Sequence, residues 1–178
     1  RAGTGVKVAE IPVVREPYAA ELTPDGTKLV VANLLPSGPA NVDVHQAVVS
    51  IIDTRTRVCE ANVKLNYGAQ SLLDICVSPD GRYAYVPQVR SNFTQTPPQP
   101  IMHIQANEFA VVHIREAKLV TAIQLDDGQY EAAANPWAVA CNESHVVIVT
   151  AGSREVHVID HAALHEDLPQ EGFYMSPD

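Results

Sequence analysis

One phrase occurs twice in this chain. Leu22–Asn33 reads LTPDGTKLVVAN, and 55 residues on, counted Pro24 to Pro79, Cys76–Gln88 reads CVSPDGRYAYVPQ. A recurring unit must pack against its own copies, so a repeat narrows the fold more than composition does. Proline presets φ and Asp-Gly favours a tight reversal, so each PDG predicts a hairpin turn. The flanking runs are rich in Val, Ile, Thr and Tyr, which suit strands. Helical periodicity is scarce, and Gly, Pro, Asn and Asp interrupt every apolar run.

The repeat extends beyond the phrase. PYAAELT (17–23), KLVVAN (28–33), AVVSIID (47–53) and RVCEANVKL (57–65) read as strands A, B, C and D of one unit. SLLDICV (71–77), RYAYVPQV (82–89), FAVVHI (109–114) and KLVTAIQL (118–125) repeat that order. NPWAVAC (135–141), HVVIVTA (145–151) and EVHVID (155–160) begin it again, and HAALHEDL (161–168) reads as a helical turn. GVKVAEIPVV (5–14) is expected as a lone strand belonging to a preceding unit.

Four short antiparallel strands per unit, at a period of roughly 40–50 residues, predict an all-β β-propeller of four-stranded antiparallel blades. A β-sandwich also has short strands, but nothing in it requires turn chemistry to recur in register. The expectation is a single β-propeller segment over residues 1–178, with about three blades at 15–65, 69–125 and 135–164. A ring holds roughly 4–8 blades. The remainder is therefore expected from missing chain or a second subunit, because an open stack exposes half a core.

Composition excludes some partners. The formal charge is −9, with 21 acidic and 12 basic residues and no Lys/Arg run, so nucleic acid is not expected. The apolar runs are too short for a membrane span. The three cysteines form no CxxC and no CxxCH. At least two are expected as small buried apolar residues, with one disulfide as the alternative.

AELTPDGTKLVVAN, ICVSPDGRYAYVPQ and VSIIDTRTRV resemble the YVTN-type β-propeller repeats of bacterial extracytoplasmic proteins. LPSGPANVDVHQAVVSIID and LDDGQYEAAANPWAVACNESHVVIVTAGSREVHVIDHAAL are similar to propellers of planctomycete-type bacteria that are fused to, or partnered with, c-type cytochrome domains related to di-haem peroxidases. The resemblance covers about residues 17–164. It implies a periplasmic or cell-surface location, no cofactor in this chain itself, and haem c in a partner domain or subunit. NES stands where PDG is expected in the third unit, and HIREAKL where IDTxT is expected in the second.

In a propeller the D–A and B–C loops share the face around the axis. The second B–C loop is the longest, VRSNFTQTPPQPIMHIQAN, and a loop of that length suits docking. Its candidates are Phe93, Pro97, Pro98, Met102 and His103; His45, Asn135 and Arg154 lie in other loops of that face. Trp137 has two readings, an anchor between blades and a ligand-stacking wall. His161 and His165 stand four apart and fit one helical face, a spacing seen in zinc sites, but no third ligand is evident. Asp126 and Asp127 are adjacent acids in a D–A loop, a weak cation candidate. No GxSxG elbow or nucleophile–base pair is present. The functions weighed are a binding or scaffold module docking a protein or redox subunit through B–C loops, the non-haem part of a cytochrome-linked oxidoreductase assembly, and a metal-dependent propeller hydrolase or lactonase. The last would rest on Asp74, Asp126, Asp127 and Asn135.

Overall fold

The two PDG turns close identically in the computed structural model, which describes residues 5–39, 41–91, 105–126 and 133–168. Thr23 donates its hydroxyl to Asp25 Oδ1 at 2.6 Å, and Asp25 Oδ1 accepts the Thr27 N–H at 3.0 Å. Ser78 and Asp80 repeat this at 2.6 Å, with the Arg82 N–H at 3.0 Å. Gly26 and Gly81 sit at φ 69° and 70°, the left-handed region that glycine enters without steric cost. In the third unit Asn142 Oδ1 takes the N–H groups of Ser144 and His145, both at 2.8 Å, across a tighter turn. That is why NES can stand for PDG: an amide oxygen does the work of the carboxylate.

The C–D turns follow a parallel rule. Asp53 Oδ1 accepts the Thr56 N–H at 2.7 Å, and Arg57 at φ 60° completes the reversal. In HIREAKL the His113 Nδ1 accepts the Glu116 N–H at 3.2 Å, and Ala117 at φ 51° takes the place of Arg57. An imidazole thus substitutes for the aspartate.

These turns join strands within three antiparallel sheets, the blades of a partial β-propeller. Blade one is β1 (Pro17–Leu22), β2 (Lys28–Asn33), β3 (Val48–Asp53) and β4 (Val58–Lys64), in chain order. Blade two holds β5 (Ala69–Gln70) and β6 (Cys76–Val77), both paired with β7 (Tyr83–Ser91), then β8 (Gln105–His113) and β9 (Lys118–Gln124). Blade three is β10 (Pro136–Cys141), β11 (His145–Thr150) and β12 (Glu155–Asp160). Helix α1 (His161–Asp167) follows where a fourth strand would stand. The first strands neighbour one another, β6 touching both β1 and β10, while the last strands β4 and β9 meet at the rim.

Strand alternation gives blade two opposite faces for its two neighbours. Ala84, Val86, Ala110 and Val112 pack with Val30, Ala32, Val49 and Ile51 of blade one. Tyr85, Phe109 and Val111 pack with Val139, Val146 and Ile148 of blade three and with Leu164 and Leu168 after β12. Burying a side chain such as Phe109 contributes about 1.5–3 kcal/mol. The seams are also stitched. The Val77 N–H donates to Glu21 Oε2 at 2.6 Å, and the Val139 N–H to Asp74 Oδ2 at 2.9 Å. Cys76 and Cys141 form a disulfide between the first strands of blades two and three, with Cα atoms 6.4 Å apart.

Blade three turns a different face outward. Its register sets Ala138 beside Val149 and Val156, and Ala140 beside Val147 and Val158. These six apolar side chains share one face. Val156 and Val158 are 60% and 62% exposed.

Several expectations need correction. Residues 5–14, expected as a strand of a preceding blade, form no strand and pair with no sheet among the described residues; the Arg57 guanidinium donates to the Val8 carbonyl at 3.3 Å. The strand expected over 71–77 is split, because Ser71 at φ 60° turns the chain and Asp74 Oδ1 takes the Ile75 N–H at 2.9 Å. Cys76 and Cys141 are bridged rather than two separate apolar side chains, and Cys59 alone is a free thiol. The second B–C hairpin pairs out to Ser91 and Gln105, further than the sequence suggested.

Candidate functional site

A buried polar cluster underlies the B–C end of blade two. Glu108 is 4% exposed and sits near the start of β8. It accepts Arg90 Nε at 2.6 Å on one oxygen, and Asn66 Nδ2 and Gln88 Nε2, both at 3.0 Å, on the other. Gln88 Nε2 also donates to Asn66 Oδ1 at 2.7 Å, while the buried Gln88 Oε1 has no hydrogen-bond partner among the described residues. A buried carboxylate is tolerable only with such partners. Asn66 comes from the connection between blades one and two, so the cluster fixes that seam where the loops begin. One residue along, Asn107 donates its N–H to Asp126 Oδ2 at 2.8 Å and accepts the Asn135 N–H at 3.1 Å.

The loop-face candidates are therefore placed unevenly. Asn135, at φ 54°, and Asp126 are brought together through Asn107. With Asn107 Nδ2 at 3.3 Å on its other oxygen, the Asp126 carboxylate is occupied as a strand cap. His45 accepts the Gly68 N–H on its carbonyl at 2.8 Å. Arg154 is exposed in the turn between β11 and β12. Trp137 lies at the irregular start of β10 and is 52% exposed, so within the described residues it is not a buried anchor between blades. Phe93, Pro97, Pro98, Met102, His103 and Asp127 lie outside the described residues. Asp74, a hydrolase candidate, is spent on two backbone N–H groups.

A second cluster joins blade two to α1. The Tyr85 hydroxyl lies 3.0 Å from His161 Nε2 and 2.7 Å from His165 Nε2. The two imidazole centroids are 4.2 Å apart, as the i, i+4 spacing dictates. Tyr83 meets the rings of His165 and His113 edge-on at 5.0 and 5.2 Å. Burial pushes the Tyr85 phenol well above its ordinary range, with the Asp80 carboxylate and Tyr83 adding to the effect. Burial, then the neighbouring His161, lowers His165, against the pull of Asp80. Burial thus favours the neutral form of the His165 imidazole. Among the described residues no three His, Cys, Asp or Glu side chains converge as a metal site. The third group beside the histidine pair is a tyrosine 76 residues away, which sequence spacing does not reveal.

A cavity of 810 Å³ opens at the opposite end of blades one and two, between the PDG turns and the C–D turns. Asp25, Lys28, Glu60, Asp80, Arg82 and Glu116 contribute to its walls. Part of this charge is matched, since Lys28 pairs with Glu60 in the wall and with Asp53 behind it at 3.1 Å. The sequence reading placed ligands on the other face, and nothing in the loop lengths pointed here.

No protein-family model and no curated protein matches the chain. Among solved structures, a chain of Kuenenia stuttgartiensis hydrazine synthase superposes with a TM-score of 0.72 at 20% identity. The match covers 84% of this chain and 41% of that one. Pyrococcus horikoshii acylaminoacyl peptidase matches at 11% identity and a TM-score of 0.39, over 79% of this chain and 24% of that one. An acylaminoacyl peptidase in complex with Z-Gly-Gly-Phe-chloromethyl ketone gives 10% and 0.39, over 81% and 25%. The first likeness shows the propeller fold. No helix among the described residues is long and apolar enough to cross a membrane.

Proposed function

We propose that this chain is an extracytoplasmic propeller module that binds protein, with the rest of a ring seated on the outer face of blade three and a partner docked on the B–C loops. The observation that carries this reading is that outer face. Ala138, Ala140, Val147, Val149, Val156 and Val158 form a contiguous apolar area, bordered by the His145–Asp160 pair at one end of the same face, and Val156 and Val158 are more than half exposed. Contiguous apolar surface of this kind marks an interaction site. A further blade, from more chain or a second subunit, would offer a matching apolar face, as blades one and two do to each other. The test is a Val156→Asp/Val158→Asp variant followed by scattering and co-purification. Loss of assembly is expected with the monomer still folded, and unchanged assembly overturns the proposal. For the loops, deletion of 92–104 should abolish capture of the partner in a pull-down, and unchanged capture removes them as the docking element.

A second reading is the non-haem part of a cytochrome-linked oxidoreductase assembly. It draws on the YVTN-type resemblance and on the likeness to a chain of hydrazine synthase. Haem c would then reside in a c-type cytochrome partner, and a Soret band should co-purify with the complex. The Cys76–Cys141 disulfide supports an extracytoplasmic location, because such bonds persist in oxidising compartments. The hydrolase reading ranks last, since Asp74 and Asp126 are engaged in holding backbone.

A further inference from the structure

We propose that Tyr85, His161 and His165 form a binding site for one divalent transition-metal ion of the kind that imidazole favours, such as Zn²⁺ or Cu²⁺. A buried phenol is satisfied by a single hydrogen-bond partner. Here two imidazoles both aim Nε2, a ligating nitrogen, at the same oxygen, from 3.0 and 2.7 Å. Ligands about 2.0–2.1 Å from a tetrahedral zinc ion stand roughly 3.4 Å apart, so an opening of about 0.4 Å at His161 and about 0.7 Å at His165 admits the ion. Three protein donors leave a fourth position for water.

The donors are held in place by their surroundings. Tyr85 is fully buried in the middle of blade two, edge-on to Phe109 at 6.4 Å. The helix is anchored at its start, where Asp160 Oδ1 accepts the Ala163 N–H at 2.8 Å and the His161 N–H reaches the Ser144 carbonyl at 2.9 Å. Leu164 and Leu168 fix it in the core. Both histidines therefore face Tyr85 without further folding of the site. Asp80 bears on His165 and Tyr85 and contributes negative charge, while Arg82 opposes it at His165. A bound cation would take Tyr85 as the phenolate, its proton released to solvent as the two hydrogen bonds give way to ligation. The ion would tie α1 to blade two, at the seam the disulfide also closes.

The test is titration of the purified full chain with Zn²⁺ and Cu²⁺, by calorimetry and by visible absorption for a tyrosinate-to-copper band. One equivalent is expected. His161→Ala and His165→Ala should each weaken binding by about 10–100-fold or more, the loss seen even for outer-shell changes. Tyr85→Phe should abolish the copper band. Should a variant fail to fold, the wild type decides: in long-range ¹H–¹⁵N spectra, Zn²⁺ should shift the imidazole signals of His161 and His165 and leave the other five histidines in place. Equal metal affinity in wild type and the His161→Ala/His165→Ala variant, or zinc shifts at other histidines alone, overturns the site and leaves the three groups a hydrogen-bonded cluster.

Discussion

Removing the Cys76–Cys141 bond should cost the protein a large part of its stability. The bridge closes a loop of 65 residues, spanning nearly all of blade two and the first strand of blade three. The chain-entropy relation for a loop of that length gives about 4 kcal/mol at 25 °C. For a chain of this size each kcal/mol moves the melting temperature by about 2–4 °C, so a drop of about 8–16 °C is expected. The perturbation is best made twice. Reduction of the wild type keeps both side chains, whereas Cys76→Ala/Cys141→Ala also removes buried sulfur, Cys76 being only 6% exposed. The double variant should therefore melt somewhat below the reduced wild type. Thermal melts followed by near-ultraviolet circular dichroism, with and without reductant, read both effects. In denaturant without reductant one thiol, that of Cys59, should react. Three reactive thiols, or a melting shift under about 3 °C on verified reduction, would refute the reasoning.

Three further outcomes follow from the same contacts. Glu21→Ala strands the Val77 N–H in a part-buried seam and should cost about 1–3 kcal/mol by urea melts, whereas Glu21→Gln keeps an acceptor. Burial raises the Glu21 carboxyl despite the Val77 bond, with Asp74 adding to the rise, so its folded form prefers the proton. Its contribution thus falls as pH rises through its folded value, and Glu21→Gln at pH 7 should be neutral or stabilising; a loss matching Glu21→Ala would contradict this. Gly68 stands at φ 79°, and a Cβ there would run into the Ser91 carbonyl, so Gly68→Ala should cost about 1–3 kcal/mol in the same melts. Asp25 and Asp53 are lowered by hydrogen bonds, first from the Thr23 hydroxyl and the Thr56 N–H respectively, and in Asp80 burial raises the carboxyl but the Ser78 hydroxyl, the Arg82 N–H and neighbouring positive charge together lower it. Their stabilisation is complete above the ordinary aspartate value of 3.8 and is lost as pH falls below it, so the urea midpoint should decline through that range and recover in part in Asp→Asn turn variants.

The blades were legible because the turns are local. Thr23-Pro24-Asp25-Gly26 and Ser78-Pro79-Asp80-Gly81 carry their hydrogen bonds within five residues, and the β-branched runs beside them have few alternatives to strands. The helical turn after Asp160 was legible for the same reason. The partners across seams were not. Which cysteines pair depends on Cys76 and Cys141 reaching adjacent first strands, and the Tyr85–His165 contact spans 80 residues. The break at Ser71 was equally hidden, since a serine in the left-handed region leaves no mark in residue type. Glu108 was left just outside the strand read at 109–114, and only packing shows that Asn66, Gln88 and Arg90 surround it.

Asp53 and Asp160 make one and the same bond, each carboxylate taking the N–H three residues ahead, yet one chain goes on into a strand and the other into a helix. The aspartate merely starts a turn; Thr-Arg-Thr with Arg57 at positive φ folds back, whereas Ala162, Ala163 and Leu164 wind onward, as their helix preference favours. The rim of each blade is thus a fork decided by four or five residues. The inner three strands pair the same way on either branch. Evolution or a designer can exchange what lies on the perimeter, strand for helix, while the geometry near the axis is left alone.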